Sequence, residues 1–184
     1  MSFKNLALSL TLAAATSAVA APITWSVNGH DYQVVQTGSI SWDDSRAAAQ
    51  AIGAGWDLAT ITSMDEQMFI AGLLGPANGS LIEYYIGGTY STSQGWHWET
   101  GEAFSFTYWG VGEPNNNINE PHIALDGRMQ VPNWGWNDYT GDAAWFVNGY
   151  VAESSTAAVP EPTTIGLMGL GLAGLAFAAR RKRA

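Results

Sequence analysis

Between residues 41 and 75 the chain carries two stretches of helical periodicity, each opened by a serine, and from Glu83 onward it carries none. That division constrains the fold more than any other feature. Helices gathered near the start, with strands before and after them, give an α+β domain in which the two kinds of element are segregated. Ser41 precedes Trp42, Asp44 falls at the third helical position, and Trp42, Ala48, Ala49 and Ile52 are apolar before Gly53 and Gly55. This predicts a first helix from Trp42, stopped by those glycines. Ser63 with Glu66 repeats the capping pattern, and Met64, Met68, Phe69, Leu73 and Leu74 fall near helical spacing, so a second helix should end by Gly75-Pro76.

Ahead of the helices, Trp25, Val27, Tyr32, Val34 and Val35 alternate loosely around Asn28-Gly29, the pattern of a hairpin. Asp57 to Ile61 is a short strand between the helices. After Glu83, aromatic and glycine-rich pieces such as Tyr84-Tyr85-Ile86-Gly87-Gly88 and Trp96-His97-Trp98 alternate with turns. A loop from about Tyr108 to Gln130, with little regular structure, is expected there. Such a length in a compact domain points to function.

That loop holds Gly112-Glu113-Pro114-Asn115-Asn116-Asn117-Ile118-Asn119-Glu120, and Trp136-Asn137-Asp138 follows downstream. Glu113, Glu120 and Asp138 supply carboxylates, Asn115 and Asn137 supply carboxamides, and an all-oxygen set of this kind suits a hard cation such as calcium. Read alone, Glu-Pro-Asn-Asn is also an ordinary polar turn. The histidines at 30, 97 and 122 lack zinc spacing, and there is no cysteine, so no disulfide can form.

Both ends read as targeting segments. Lys4, an apolar run from Leu6 to Leu12 and Ala18-Val19-Ala20 make residues 1–20 an export signal. Val159-Pro160-Glu161-Pro162 leads into an uncharged run over 163–179 and then Arg180-Arg181-Lys182-Arg183. Seventeen residues at about 1.5 Å each just cross a bilayer's hydrocarbon core, with the basic end held in the cytoplasm. Among the seven Lys and Arg only Arg46 and Arg128 lie outside these tags, whereas every acid but Glu161 lies between Asp31 and Glu153. So acidic a domain excludes nucleic acid and anionic lipid as partners and favours cations.

The tail resembles the PEP-CTERM sorting signal of Gram-negative bacteria, with its Pro-Glu-Pro box, apolar helix and arginine cluster in order. The resemblance implies recognition and cleavage by an exosortase, and export to the cell surface or extracellular matrix after transient membrane anchoring at residues 154–184. A permanent single-span anchor is the plainer alternative.

Residues 24–153 are similar to a C-type lectin domain. The matching parts are Trp42 to Gly53, Leu58-Ala59-Thr60-Ile61, Tyr85-Ile86-Gly87-Gly88, Glu113-Pro114-Asn115, Trp136-Asn137-Asp138 and Gly149-Tyr150-Val151-Ala152-Glu153. The resemblance implies two helices and two small antiparallel sheets with a long ligand loop. It implies a calcium ion held by Glu113, Asn115, Glu120, Asn137 and Asp138, a cis Glu113–Pro114 bond, and sugar bound through the same five residues. Family disulfides would join the positions of Ala49 and Ala152 and of His122 and Gly141, and both are missing. Auxiliary calcium sites cannot be assigned.

The function implied is calcium-dependent carbohydrate binding without catalysis, mannose-type sugars leading. The alternative is an adhesion module that uses the same fold for protein contacts around a structural calcium. No Gly-x-Ser-x-Gly, His-Glu-x-x-His or cysteine nucleophile supports an enzyme. Trp96, Trp98, Trp109 and Trp134 fit core packing better than a sugar platform. Glu99 and Glu102 fit a surface turn beside Gly101 better than a hydrolytic carboxylate pair.

Overall fold

The computed structural model describes residues 21–129 and 133–155. The export segment 1–20, Gln130, and the tail from 156 with its 163–179 span lie outside the described residues. Among the described residues no helix is long and apolar enough to cross a membrane.

The elements run β1 (Ile23–Thr24), β2 (Asp31–Gln36), α1 (Trp42–Gln50), β3 (Trp56–Leu58), α2 (Met64–Leu74), β4 (Glu83–Ser91), β5 (Gly95–Trp98), β6 (His122–Asp126), β7 (Gly135–Tyr139) and β8 (Val147–Ser154). One antiparallel group joins β1, β2, β8 and β3, and a second joins β5, β4, β6 and β7. The parallel pairing of β4 with β8 links them.

Both helices start where the serines predict. Ser41 Oγ accepts from the Asp44 amide at 3.1 Å and Ser63 Oγ from the Glu66 amide at 3.2 Å, each satisfying one amide that the helix itself leaves without a partner. The reciprocal half of the second capping box is displaced by one residue. The Glu66 carboxylate accepts from the Thr62 amide at 2.7 Å, while its other oxygen accepts from the buried Tyr32 hydroxyl.

Strand alternation divides the core in two. Tyr84, Ile86, Ile123, Leu125 and Val151 point into a cluster with Ile70, Trp98 and Trp136. Their neighbours Tyr85, Ala124, Tyr150 and Ala152 point into another with Trp42, Ala49 and Leu58. Strands β4, β6 and β8 are therefore covered on both faces, which explains their nearly continuous apolar sequence. The Trp42 indole donates to the Ile86 carbonyl at 2.9 Å and ties α1 to β4. Next to it Gly87 allows the close approach of β4 to β3, since a Cβ there would lie 2.8 Å from the Leu58 carbonyl oxygen.

Three expectations are corrected. The strand between the helices ends at Leu58 rather than Ile61, because the Thr60 amide turns to the Glu153 carboxylate at 2.8 Å. The hairpin's first arm is two residues long, and Trp25 to His30 form the connection. The supposed loop from Tyr108 to Gln130 contains β6, whose Ile123, Ala124 and Leu125 are fully buried. With only five residues and polar ends at His122 and Asp126, β6 shows no alternation a sequence can reveal.

Trp98, Trp134 and Trp136 are core residues, and Trp96 packs against Trp109 with ring centroids 4.9 Å apart. Glu99 is engaged by Arg46 and by the Thr89 hydroxyl at 2.9 Å, a structural role.

Candidate functional site

The five residues singled out in the sequence meet in one place. Glu113, Asn115, Glu120, Asn137 and Asp138 line a cleft of about 330 Å³, together with Leu81, Glu83, Arg128, Tyr139 and Phe146. Strand β7 presents Asn137 and Asp138, while the other three come from the loop ahead of β6. The loop is fastened to β7 on the way: Trp109 bridges Trp136, and the Gly110 amide donates to the Trp136 carbonyl at 2.8 Å.

Asp138 then organises the loop itself. One of its carboxylate oxygens accepts from the Asn115 amide at 3.0 Å, the other from the Asn116 amide at 2.7 Å. The Glu113–Pro114 peptide is cis, as expected. Asn115 Nδ2 donates to Glu113 Oε2 at 2.5 Å, so acceptor and donor flank the proline as a bonded pair. Asn116 closes the turn by accepting at its carbonyl from the Asn119 and Glu120 amides, both at 2.9 Å.

The charges are crowded. Burial, then the closeness of Asp138 and Glu120, pushes the Glu113 carboxyl up to about 7. Burial and Asp138 also raise Glu120. An excess of negative charge in an all-oxygen cleft is what a bound hard cation would relieve, so the donor set fits calcium. Among the described residues, however, no three acidic or imidazole side chains already converge at metal-binding distance. Glu113 instead accepts from Asn115, and Asp138 from the backbone amides of Asn115 and Asn116.

Glu83 belongs to this site and was not singled out from the sequence. It is 1% exposed at the head of β4, and its Oε1 accepts from Asn137 Nδ2 at 3.1 Å and from Arg128 at 3.4 Å. Holding Nδ2 in this way turns the amide oxygen of Asn137 the other way. Burial and the neighbouring Asp126 raise the Glu83 carboxyl. The available signal was an acid heading a strand that is otherwise apolar.

Solved structures share this fold. The C-type lectin domain of murine dendritic cell inhibitory receptor 2, in complex with N-glycan, superposes with a TM-score of 0.57 at 26% identity, covering 69% of this chain and 91% of that one. This is a C-type lectin-like fold. The Ca2+-independent C-type lectin SPL-2 from Saxidomus purpuratus is also similar, with a TM-score of 0.55 at 27% identity over 71% of this chain and 88% of that one. Among curated sequences, the galactose-specific lectin nattectin of Thalassophryne nattereri is 31% identical over 104 residues, 56% of this chain and 64% of that protein. This chain spans about half to two thirds of the length of such relatives. Residues 158–182 match the family model described as the PEP-CTERM protein-sorting motif.

The lectin-like fold also shows what stands in place of its usual bridges. Ala49 and Ala152 are fully buried in the same cluster, small residues packed where one bridge would lie. At the other, His122 fills the space over Gly141: a Cβ on Gly141 would come 2.4 Å from His122 Cδ2. The imidazole stacks on Trp42 with centroids 4.4 Å apart, and burial lowers its pKa. A stacked pair of rings thus occupies the place where the resemblance puts the second bridge.

Proposed function

We propose that residues 24–153 form a calcium-dependent carbohydrate-binding domain, exported through residues 1–20 and sorted to the cell surface through residues 154–184. One observation carries the reading: five oxygen-bearing side chains from two separate stretches line a single cleft. When bound there, calcium would supply a hard Lewis acid for two neighbouring sugar hydroxyls. Glu113, Glu120 and Asp138 balance its charge, and Asn115 and Asn137 complete the oxygen set. Toward the sugar, Glu113 and Glu120 accept hydrogen bonds from the hydroxyls while the two amides donate them. Asn115 spends one amide hydrogen on Glu113 and Asn137 one on Glu83, which leaves each a second for the ligand.

The resemblance attaches mannose-type sugars to the Glu-Pro-Asn order. A relative named for galactose and a neighbour named as Ca2+-independent make both the sugar and the ion direct questions for experiment. The match to a sorting motif supports exosortase as a transient partner and the surface as the destination, with the 163–179 segment as the span held before cleavage.

The test exchanges acceptor and donor. Glu113→Gln with Asn115→Asp keeps shape and the internal hydrogen bond but reverses its polarity. Mispaired polar groups cost about 1–3 kcal/mol each, so mannose-type binding should fall at least tenfold while calcium still raises the melting midpoint. Unchanged sugar preference in the exchanged variant would overturn the assignment of these two residues.

A further inference from the structure

Of the nine tryptophans, Trp145 alone is exposed, at 80%. An indole is a large apolar surface that folding ordinarily covers, and one left in water on a lectin-like domain invites a ligand explanation. Its position supplies one. The next residue, Phe146, accepts at its carbonyl from the amide of Glu83, on the cleft wall, at 2.9 Å, and is itself a lining residue of the cleft. Phe146 packs edge-on to Tyr139, another lining residue, with centroids 5.3 Å apart and planes at 72°. Trp145 packs edge-on to Phe146 at 5.5 Å and 85°. Three rings thus run without a break from the cleft to open surface.

We propose that Trp145 is a second sugar subsite, stacking on the C–H face of the residue next to the one held in the cleft. The inference rests on the carbohydrate reading above and adds a ligand class: neutral oligosaccharides rather than single sugars. A pyranose presents an apolar face of C–H groups that an indole face matches, while its hydroxyls stay in water. Neutrality follows from charge. Glu113, Glu120 and Asp138 together exceed the two positive charges of a bound calcium, and Arg128 in the cleft is already engaged by Asp126 and Glu83, so uronate or sialate chains would be repelled.

The experiment uses the full chain with calcium and compares mannose with a mannotriose by calorimetry. It also follows tryptophan fluorescence against acrylamide as quencher. The wild type should bind the trisaccharide about tenfold more tightly, a gain of about 1.4 kcal/mol, and the trisaccharide alone should shield the exposed indole. Trp145→Ala should remove the difference while leaving mannose affinity and the calcium midpoint unchanged, and Trp145→Phe should restore part of it. A preference for trisaccharide that survives in Trp145→Ala overturns the proposal, as does parallel loss of mannose and calcium binding, which would make Trp145 a support for the cleft. Halving of the solution mass in Trp145→Ala would make it an interface between copies of the chain, also against the proposal. If the wild type binds mannose without gain from trisaccharide, only this inference falls. If it binds neither sugar, the mannose-type assignment falls together with this inference.

Discussion

Replacing both His122 and Gly141 with cysteine should create a disulfide that the natural chain lacks. A Cβ on Gly141 would lie 3.3 Å from His122 Cγ and no nearer than that to His122 Cβ. One bond of roughly 1.5 Å separates Cβ from Cγ. The two Cβ atoms therefore lie between about 3.3 and 4.8 Å apart, a range that contains the disulfide range of about 3.5–4.5 Å. The closed loop, from 122 to 141, has about 20 residues, and chain entropy assigns such a link about 3 kcal/mol. Against the natural protein the net gain is smaller. The Trp42 stack is lost, worth about 1 kcal/mol, and a side chain at φ +88° costs about another 1–2. Comparing oxidised with reduced forms of the same variant isolates the link. In a domain of this size the oxidised midpoint should be higher by about 10 °C, read by circular dichroism in chelator. Two titratable thiols persisting under oxidant, or equal midpoints for the two forms, would refute the claim that the imidazole sits where the staple would be.

Two further outcomes follow from buried acids. Asn137→Asp would set a second carboxyl beside Glu83, whose own carboxyl burial and Asp126 push up to about 8; above pH 8 in chelator the pair should cost about 1–3 kcal/mol, whereas adding Glu83→Gln should recover most of it, a rescue that thermal melts can read. Burial raises the Glu153 carboxyl above 4.5 despite hydrogen bonds from Thr60, His30 and Tyr32, so the folded state holds that proton more tightly than the unfolded one. Its contribution is present below pH 4.5 and lost as pH rises through the folded value; melts in chelator should show this decline, with a smaller slope in Glu153→Gln.

Local chemistry was the legible part of the sequence. Ser41 and Ser63 announce their helices because a cap is a contact between residues three apart. Five members of the cleft were legible because two short stretches hold them, and the fold closes the distance between those stretches through Asp138 and the backbone of Asn115 and Asn116. What stayed hidden depends on long-range placement. Strand β6 reads as loop because both of its faces are buried. Glu83 reads as a strand-end acid until Asn137 is seen beside it, and Trp145 reads as one more core aromatic in a chain with nine tryptophans. The compensation of His122 for a missing bridge also has no local signature, since Gly141 and Trp42 approach it from distant parts of the chain.

The central claim is that one cleft binds sugar through calcium, and a glycan array probed with the full-chain protein tests it most directly. Arrays would be run in millimolar calcium, the order of weak extracellular sites, and in excess chelator. Mannose-type glycans should be bound in calcium and released in chelator. Equal binding in both conditions, or binding to no glycan in either, would contradict the account.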